Sequence, residues 1–194
     1  MELKDKRVGL GITGSFCNFN RVQEIIISLK NEGAEIIPIV TRNVAETSTR
    51  FYDKDEFLKM LEDNTGNTVV DTIVKAEPLG PKNMIDIMII CPCTGNTLAK
   101  FANGITDSPV LMAAKAHIRN NKPVVIGIST NDGLGQNLKN IAELINNKDT
   151  YFIPFRQDDY LAKPKSLVND YNKIIDTLKH ALDGKQLQPV LAIN

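Results

Sequence analysis

The chain has 194 residues, 23 Lys plus Arg against 23 Asp plus Glu, and a formal net charge of zero. That length suits one domain with a sizeable core, here expected to span 1–194 with 183–194 as a C-terminal tail. The absence of a basic excess argues against a nucleic-acid partner, and no apolar run is long enough to span a bilayer.

Near-neutral charge gives little repulsion between copies, which favours a homo-oligomer. The start, Met-Glu-Leu-Lys-Asp-Lys-Arg, lacks the layout of a secretory leader. Cys17, Cys91 and Cys93 make an odd count, so free thiols in a reducing, cytoplasmic compartment are expected.

Arg7–Ile12 reads as the first strand. Val22, Ile25, Ile26 and Leu29 carry helical spacing over Val22–Asn31, and Gly33 stops that helix. Ala34–Val40 reads as the second strand, where Pro38 signals a bulge or a local edge because proline cannot donate to a ladder. Asp53–Glu62 reads as a helix, Thr72–Val74 as a short extended piece and Glu77–Lys82 as a loop. Met84–Cys91 reads as the third main strand, with helices over Gly95–Ala102 and Pro109–Asn120. Ser108 and Pro109 form a clear start for the latter. Val124–Ile128 reads as a strand, Leu134–Ile145 as a helix, Tyr151–Ile153 as a short fifth strand and Pro154–Pro164 as a polar loop. Leu167, Tyr171, Ile174, Ile175, Leu178 and Leu182 share one face of a helix over Ser166–Leu182 that Gly184 ends. Leu187–Asn194 is apolar for a free end.

Such alternation predicts a doubly wound α/β fold, Rossmann-like or flavodoxin-like, with a mainly parallel sheet and helices on both faces. Ligands of such sheets bind beyond the carboxyl ends of the strands, so chemistry is sought in the turns there. The first is Gly9-Leu10-Gly11-Ile12-Thr13-Gly14-Ser15. Its glycines permit a tight turn, and a following helix would offer free N–H groups to a phosphate, with the Thr13 and Ser15 hydroxyls as further donors. A merely tight turn is the alternative. A dinucleotide site would place an acid at the end of the second strand. That end reads Val40-Thr41-Arg42, and Glu35 sits at the opposite end. A hydroxyl and a cation suit a mononucleotide phosphate or, less well, the 2′-phosphate of NADP.

The third strand runs into Cys91-Pro92-Cys93-Thr94-Gly95-Asn96-Thr97, where Asn96 can both donate and accept toward a carboxylate or a flavin ring edge. A Cys-x-Cys without a second pair is a poor zinc site, so no metal is expected, and two inert small residues outweigh a redox disulfide. Cys17, near a helix start, fits a packing role better than a reactive one. Ser129-Thr130-Asn131-Asp132-Gly133 offers polar contacts to the same ligand or an ordinary turn. His180 falls on the solvated face of its helix, and His117 lies near the edge of an apolar face without an obvious partner. Glu77, Asp158 and Asp159 are the open proton-transfer candidates, the two aspartates alternatively forming a lid or a solvated loop.

Gly11–Ser15, the strand ending at Thr41, and Pro92–Asp107 resemble the flavoprotein family of flavin-dependent cysteine decarboxylases. The family stretch is of the Pro-Ala-Ser-Ala-Asn-Thr type with an Ala-Lys-x-Ala-Asn-Gly-x-x-Asp continuation. This chain keeps Pro92, Asn96 and Thr97 and departs at Cys93, Thr94 and Gly95. Val74–Lys82, Thr106–Gly135, Phe152–Asp159 and Leu187–Leu191 are similar to the B-subunit family of dipicolinate synthases of endospore-forming bacteria.

The resemblance implies FMN as cofactor. Gly11, Thr13, Gly14, Ser15 and Thr41 would serve its phosphate, Pro92, Cys93, Asn96 and Thr97 the ring or substrate, and Ser129 and Thr130 further polar contacts. It also implies a partner A subunit carrying NAD(P), and oxidation with loss of water from a hydroxy-tetrahydrodipicolinate during sporulation, in the mother-cell cytoplasm. The decarboxylases carry a His before the third strand, where this chain has Ala76-Glu77-Pro78. Their Met-rich segment ending in Met-Trp is replaced by Ser129–Asp132, so cysteine-peptide decarboxylation is not expected. A non-catalytic stabilising partner with a vestigial pocket, or a stand-alone NADP-dependent reductase resting on the glycines and Arg42, remain alternative readings.

Overall fold

Every second residue of the first strand, β1 (Arg7–Ile12), is a large aliphatic: Val8, Leu10 and Ile12 point to one face and are fully buried. Gly9 and Gly11 point to the other, where a side chain at Gly11 would lie 3.0 Å from Val110. The strand is therefore central and covered on both faces. In the computed structural model, which describes residues 1–192, β1 pairs in parallel with β2 (Glu35–Val40) and β3 (Ile87–Cys93). β3 pairs with β4 (Val124–Thr130), and β4 with β5 (Thr150–Phe152), also in parallel. The parallel order is β2-β1-β3-β4-β5. Beyond it, β7 (Leu167–Asn169) pairs antiparallel with the last two residues of β4 and with β6 (Phe155–Gln157).

One face of the sheet is covered by α1 (Phe19–Asn31), α2 (Arg42–Glu46), α3 (Lys54–Thr65) and α8 (Ile174–Leu182). The other is covered by α4 (Ile73–Ala76), α5 (Gly95–Ala102), α6 (Pro109–Arg119) and α7 (Leu138–Asn146). This is the doubly wound, mainly parallel architecture that the alternation predicts. The C-terminal caps at Gly33 and Gly184 hold, each with φ near +70°.

Pro38 sits in regular register opposite Leu10, so there is no bulge; β2 is an edge strand, and that is what admits the proline. Pro38 turns its backbone away from β1, where its carbonyl accepts from the Val70 N–H at 2.9 Å. The extended piece expected over Thr72–Val74 is instead helical, as α4 and a following 3-10 turn over Glu77–Leu79. The Thr72 hydroxyl caps it by accepting from the Lys75 N–H, and Val70 supplies the extended pairing, bridging Ile39.

The expected helix over Ser166–Leu182 is half its predicted length. Its first residues are captured by β4 as β7, and the Asp170 carboxylate caps the turn that follows. Leu167 and Ile174 thus enter opposite cores despite their helical spacing. The Pro154–Pro164 loop contains β6, and the predicted Leu134–Ile145 helix begins only at Leu138, after a turn folded around Asp132. The tail runs beside β6: the Phe155 N–H donates to the Val190 carbonyl, and the Ala192 N–H to the Phe155 carbonyl, both at 3.0 Å. Ile193 and Asn194, the end of the predicted apolar tail, lie outside the described residues. Among the described residues no helix is long and apolar enough to cross a membrane.

Candidate functional site

Strand order reverses between β1 and β3, because β1 leads outward to β2 and β3 leads to β4. Chain leaving neighbouring strands in opposite directions opens a crevice at their carboxyl ends. Thr13 ties the floor of that crevice. Its fully buried hydroxyl donates to the Pro92 carbonyl at 2.7 Å and accepts from the Thr94 N–H at 2.9 Å. The turn after β1 is thereby fixed to the turn after β3.

β3 carries a register shift between Ile90 and Cys93. It rotates Cys93 into the core opposite the one that holds Cys91. The two thiols cannot pair or share a metal, and all three cysteines are free. Burial pushes the Cys93 thiol up to about 12 and Cys91 higher still, so both remain protonated and inert. No metal-holding cluster occurs among the described residues.

Two connected lobes fill the crevice. The larger, about 760 Å³, lies between Gly14–Asn18, Thr94–Asn96, the end of β4 at Ser129–Asp132, and Asp158, Lys163 and Ser166–Val168. The smaller, about 440 Å³, lies between Thr41–Asn43, the start of α5 and the Ser108 start of α6. Gly14, Phe16, Thr94 and Asn96 wall both. Each volume is in the range of small-molecule sites.

The β4 side of the large lobe is a closed hydrogen-bond network. The Ser15 and Ser129 hydroxyls are 2.7 Å apart, and the Asn18 amide donates to both. The Asp132 carboxylate accepts from the Thr130 hydroxyl at 2.5 Å and from the Asn137 amide at 2.8 and 2.9 Å. Those bonds, the Thr130 one foremost, hold its carboxyl below the usual carboxylate range. Asp132 thus brings a fixed negative charge to the lobe, with no cation paired to it among the described residues. Lys163 and Asp158 pair at 3.1 Å across the mouth.

Gly95 opens α5 directly against this network. A Cβ there would lie 2.5 Å from the Asn137 Nδ2 and Thr130 Oγ1 and 2.8 Å from the Asp132 Oδ1. Gly95→Ala should displace Asn137 from Asp132 and lower stability by about 1–3 kcal/mol, read by urea unfolding. An unchanged urea midpoint would show that the network is not rigid.

In the small lobe the Thr41 hydroxyl oxygen is sealed from solvent and has no partner. The cations nearby are engaged by surface carboxylates, Arg42 with Glu46 at 2.8 Å and Lys100 with Asp107 at 2.6 Å.

Of the residues read from sequence, Gly14, Ser15, Asn96, Ser129 and Thr130 line the large lobe, and Gly14, Thr41, Asn96 and Thr97 the small one. Gly11, Thr13, Pro92 and Cys93 are buried behind the floor and line neither. Glu77 and Asp159 also lie outside both lobes, whereas Asp158 borders the large one. Phe16, Asn18, Arg50, Phe51, Asn137 and Lys163 were missed. Asn18 follows Ser15 at one helical turn and was legible in principle; Asn137 and Lys163 arrive from segments whose fold over the crevice is a tertiary matter.

A family model described as Flavoprotein matches residues 1–182. The chain is 54% identical over 192 residues to the B subunit of dipicolinate synthase from Bacillus subtilis, covering 99% of this chain and 96% of that one. The crystal structure of the B subunit of dipicolinate synthase from Bacillus halodurans superposes with a TM-score of 0.91, at 48% identity and full coverage of both chains. An FMN-dependent cysteine decarboxylase shares the fold at 22% identity, with a TM-score of 0.68 over 92% of this chain and 98% of that one. The crevice at the β1/β3 reversal is thus set in a chain that belongs to the Flavoprotein family.

Proposed function

We propose that the crevice binds FMN and that the chain acts as the flavin-site subunit of a dipicolinate synthase. The observation that carries the flavin is Thr41: the residue lines the polar lobe at the end of β2, and its hydroxyl has no partner inside the fold, so it is left to donate to a phosphate oxygen. Gly14, Thr41, Asn43 and Thr97 would hold the phosphate, and Ser15, Phe16, Asn96, Ser129 and Thr130 the ring. When bound, the flavin supplies a two-electron acceptor. The chain's own residues orient the ring through Asn96, and keep water and bulk ions from the floor through the Thr13 tie.

The proposed conversion takes a hydroxy-tetrahydrodipicolinate, which loses water and then two hydrogens to reach the aromatic dipicolinate. A partner A subunit would hold NAD(P), and the setting would be the cytoplasm of a sporulating mother cell. The similarity to the Bacillus subtilis protein over 99% of the chain supports this assignment. Arg42 lies along α2 and pairs with Glu46, which counts against an NADP 2′-phosphate site.

Titration with FMN, followed by flavin fluorescence, should saturate at about one equivalent per chain. Thr41→Val should leave the unliganded protein as stable as the parent, because no bond is lost, while weakening FMN by about tenfold, the worth of a hydrogen bond to a charged acceptor. No saturation by FMN would overturn the flavin. Equal affinity in Thr41→Val would move the phosphate elsewhere.

A further inference from the structure

A third cavity, about 480 Å³, lies beside the large lobe, between α1 and the segment from β6 to the start of α8. Asn18, Asp158 and Val168 line both spaces, so the cavity opens onto the crevice. None of its other lining residues belongs to either lobe.

Two cations face it. Arg156 stands on β6 with no ion pair among the described residues, and Arg21 on α1 lies over the Tyr171 ring, 5.7 Å from its centroid. Of the lining carboxylates, Glu24 is paired by Arg21 at 2.8 Å and Asp158 by Lys163 at 3.1 Å, while Asp170 accepts from the Asn172 N–H at 3.0 Å and meets no cation among the described residues. Two buried donors in its wall have no partner, the Asn169 Nδ2 and the Tyr171 hydroxyl. Asn169 is only 3% exposed, and its carbonyl oxygen already takes the Cys91 thiol at 3.9 Å, so its amide is left to donate elsewhere. Burial holds the Tyr171 phenol protonated, so it too is a donor. Buried donors without acceptors cost free energy unless a ligand supplies the acceptor. Planar guanidinium groups beside them select a carboxylate.

We propose that this cavity is a carboxylate subsite of the crevice, taking one carboxylate of a small organic diacid through Arg156, Arg21, Asn169 and Tyr171. The inference rests on the flavin reading above for what lies next to the acid, and it names where the substrate is held. The diacid reaches from this cavity past Asn18 and Val168 into the large lobe. Asp158 and Lys163 stand at that junction.

Calorimetric titration of the full chain with dipicolinate, in metal-free buffer and with or without FMN, tests it. One saturable site is expected, with picolinate, one carboxylate short, binding more weakly. Arg156→Gln should weaken dipicolinate by about tenfold, and Arg21→Gln by less, since Arg21 already pairs with Glu24. Arg119→Gln, the same charge loss at an exposed position of α6, should change nothing, and FMN affinity should be unaltered in all three. Asn169→Ala gives a second reading from inside the wall, scored only with an unchanged far-ultraviolet spectrum. Absence of saturable binding, or equal dipicolinate affinity in both arginine variants, would overturn the subsite. Dipicolinate binding that persists where FMN fails to bind would sink the flavin reading and leave the subsite standing.

Discussion

Thr13→Val should lower the unfolding free energy by about 1–3 kcal/mol, because one buried carbonyl and one partly buried N–H both lose their partner. The two groups are the Pro92 carbonyl and the Thr94 N–H, and the hydroxyl between them is fully buried. Valine keeps the shape, so the loss reports hydrogen bonding rather than a cavity. Thr13→Ser is the comparison: it keeps both bonds and removes one methyl, for about 1 kcal/mol. FMN affinity should fall in the valine variant and survive in the serine one, since the tie sets the β1 turn against the start of α5. Urea unfolding and FMN titration measure both. A valine variant as stable as the serine variant would show that the tie is dispensable.

The second large effect is on pH dependence. His117 in α6 is 2% exposed, and its Nε2 has no partner. Burial pushes the imidazole down to about 4, and the nearby Lys122 ammonium adds to this against the opposing Asp86. The unfolded chain protonates His117 near its ordinary value of 6.5, so between 6.5 and about 4 only the unfolded state takes the proton. This stabilising contribution is complete above pH 6.5 and is lost as pH falls toward 4, amounting to roughly 2–4 kcal/mol.

A lower window follows from Asp86. The Arg7 guanidinium bonds its carboxylate at 2.8 and 3.1 Å and holds it down to about 2. That contribution disappears as pH drops from 3.8 to about 2. His117→Leu should remove the upper window and keep the lower one. At pH 7.5 the variant should stay within about 1 kcal/mol of the parent, since Nε2 has no partner to lose and only the ring's backbone contacts at Asp86 and Pro123 go. Urea midpoints at pH 7.5 and pH 5 decide: a variant that loses as much stability between them as the parent would place the proton on another group.

How far the residues themselves disclosed the site can be followed through Thr13, Cys93 and Leu167. Thr13 was legible as a polar residue at the strand end, but its role was not. Its partners lie about eighty residues away, in a turn that only the β1–β3 pairing brings alongside. Cys93 sits where a ligand contact is expected, yet a register shift in β3 turns it into the core. Leu167 fits a helical stripe, but β4 offers it a strand partner, and pairing at a sheet edge overrides a weak local periodicity.

By itself the amino-acid order determined the alternation of strands and helices, the buried parallel sheet and the turns that would carry polar groups. Those follow from local hydrophobic spacing, glycine and proline, which act within a few residues. Only the tertiary structure decided which hydroxyls are free and which are spent. Ser15, Ser129, Thr13 and Thr130 satisfy partners inside the fold, whereas the Thr41 hydroxyl, the Asn169 amide nitrogen and the Tyr171 hydroxyl are left without one. A hydroxyl or amide has the same chemistry in either state. Whether it can bind a ligand depends on what distant segments place within hydrogen-bond reach.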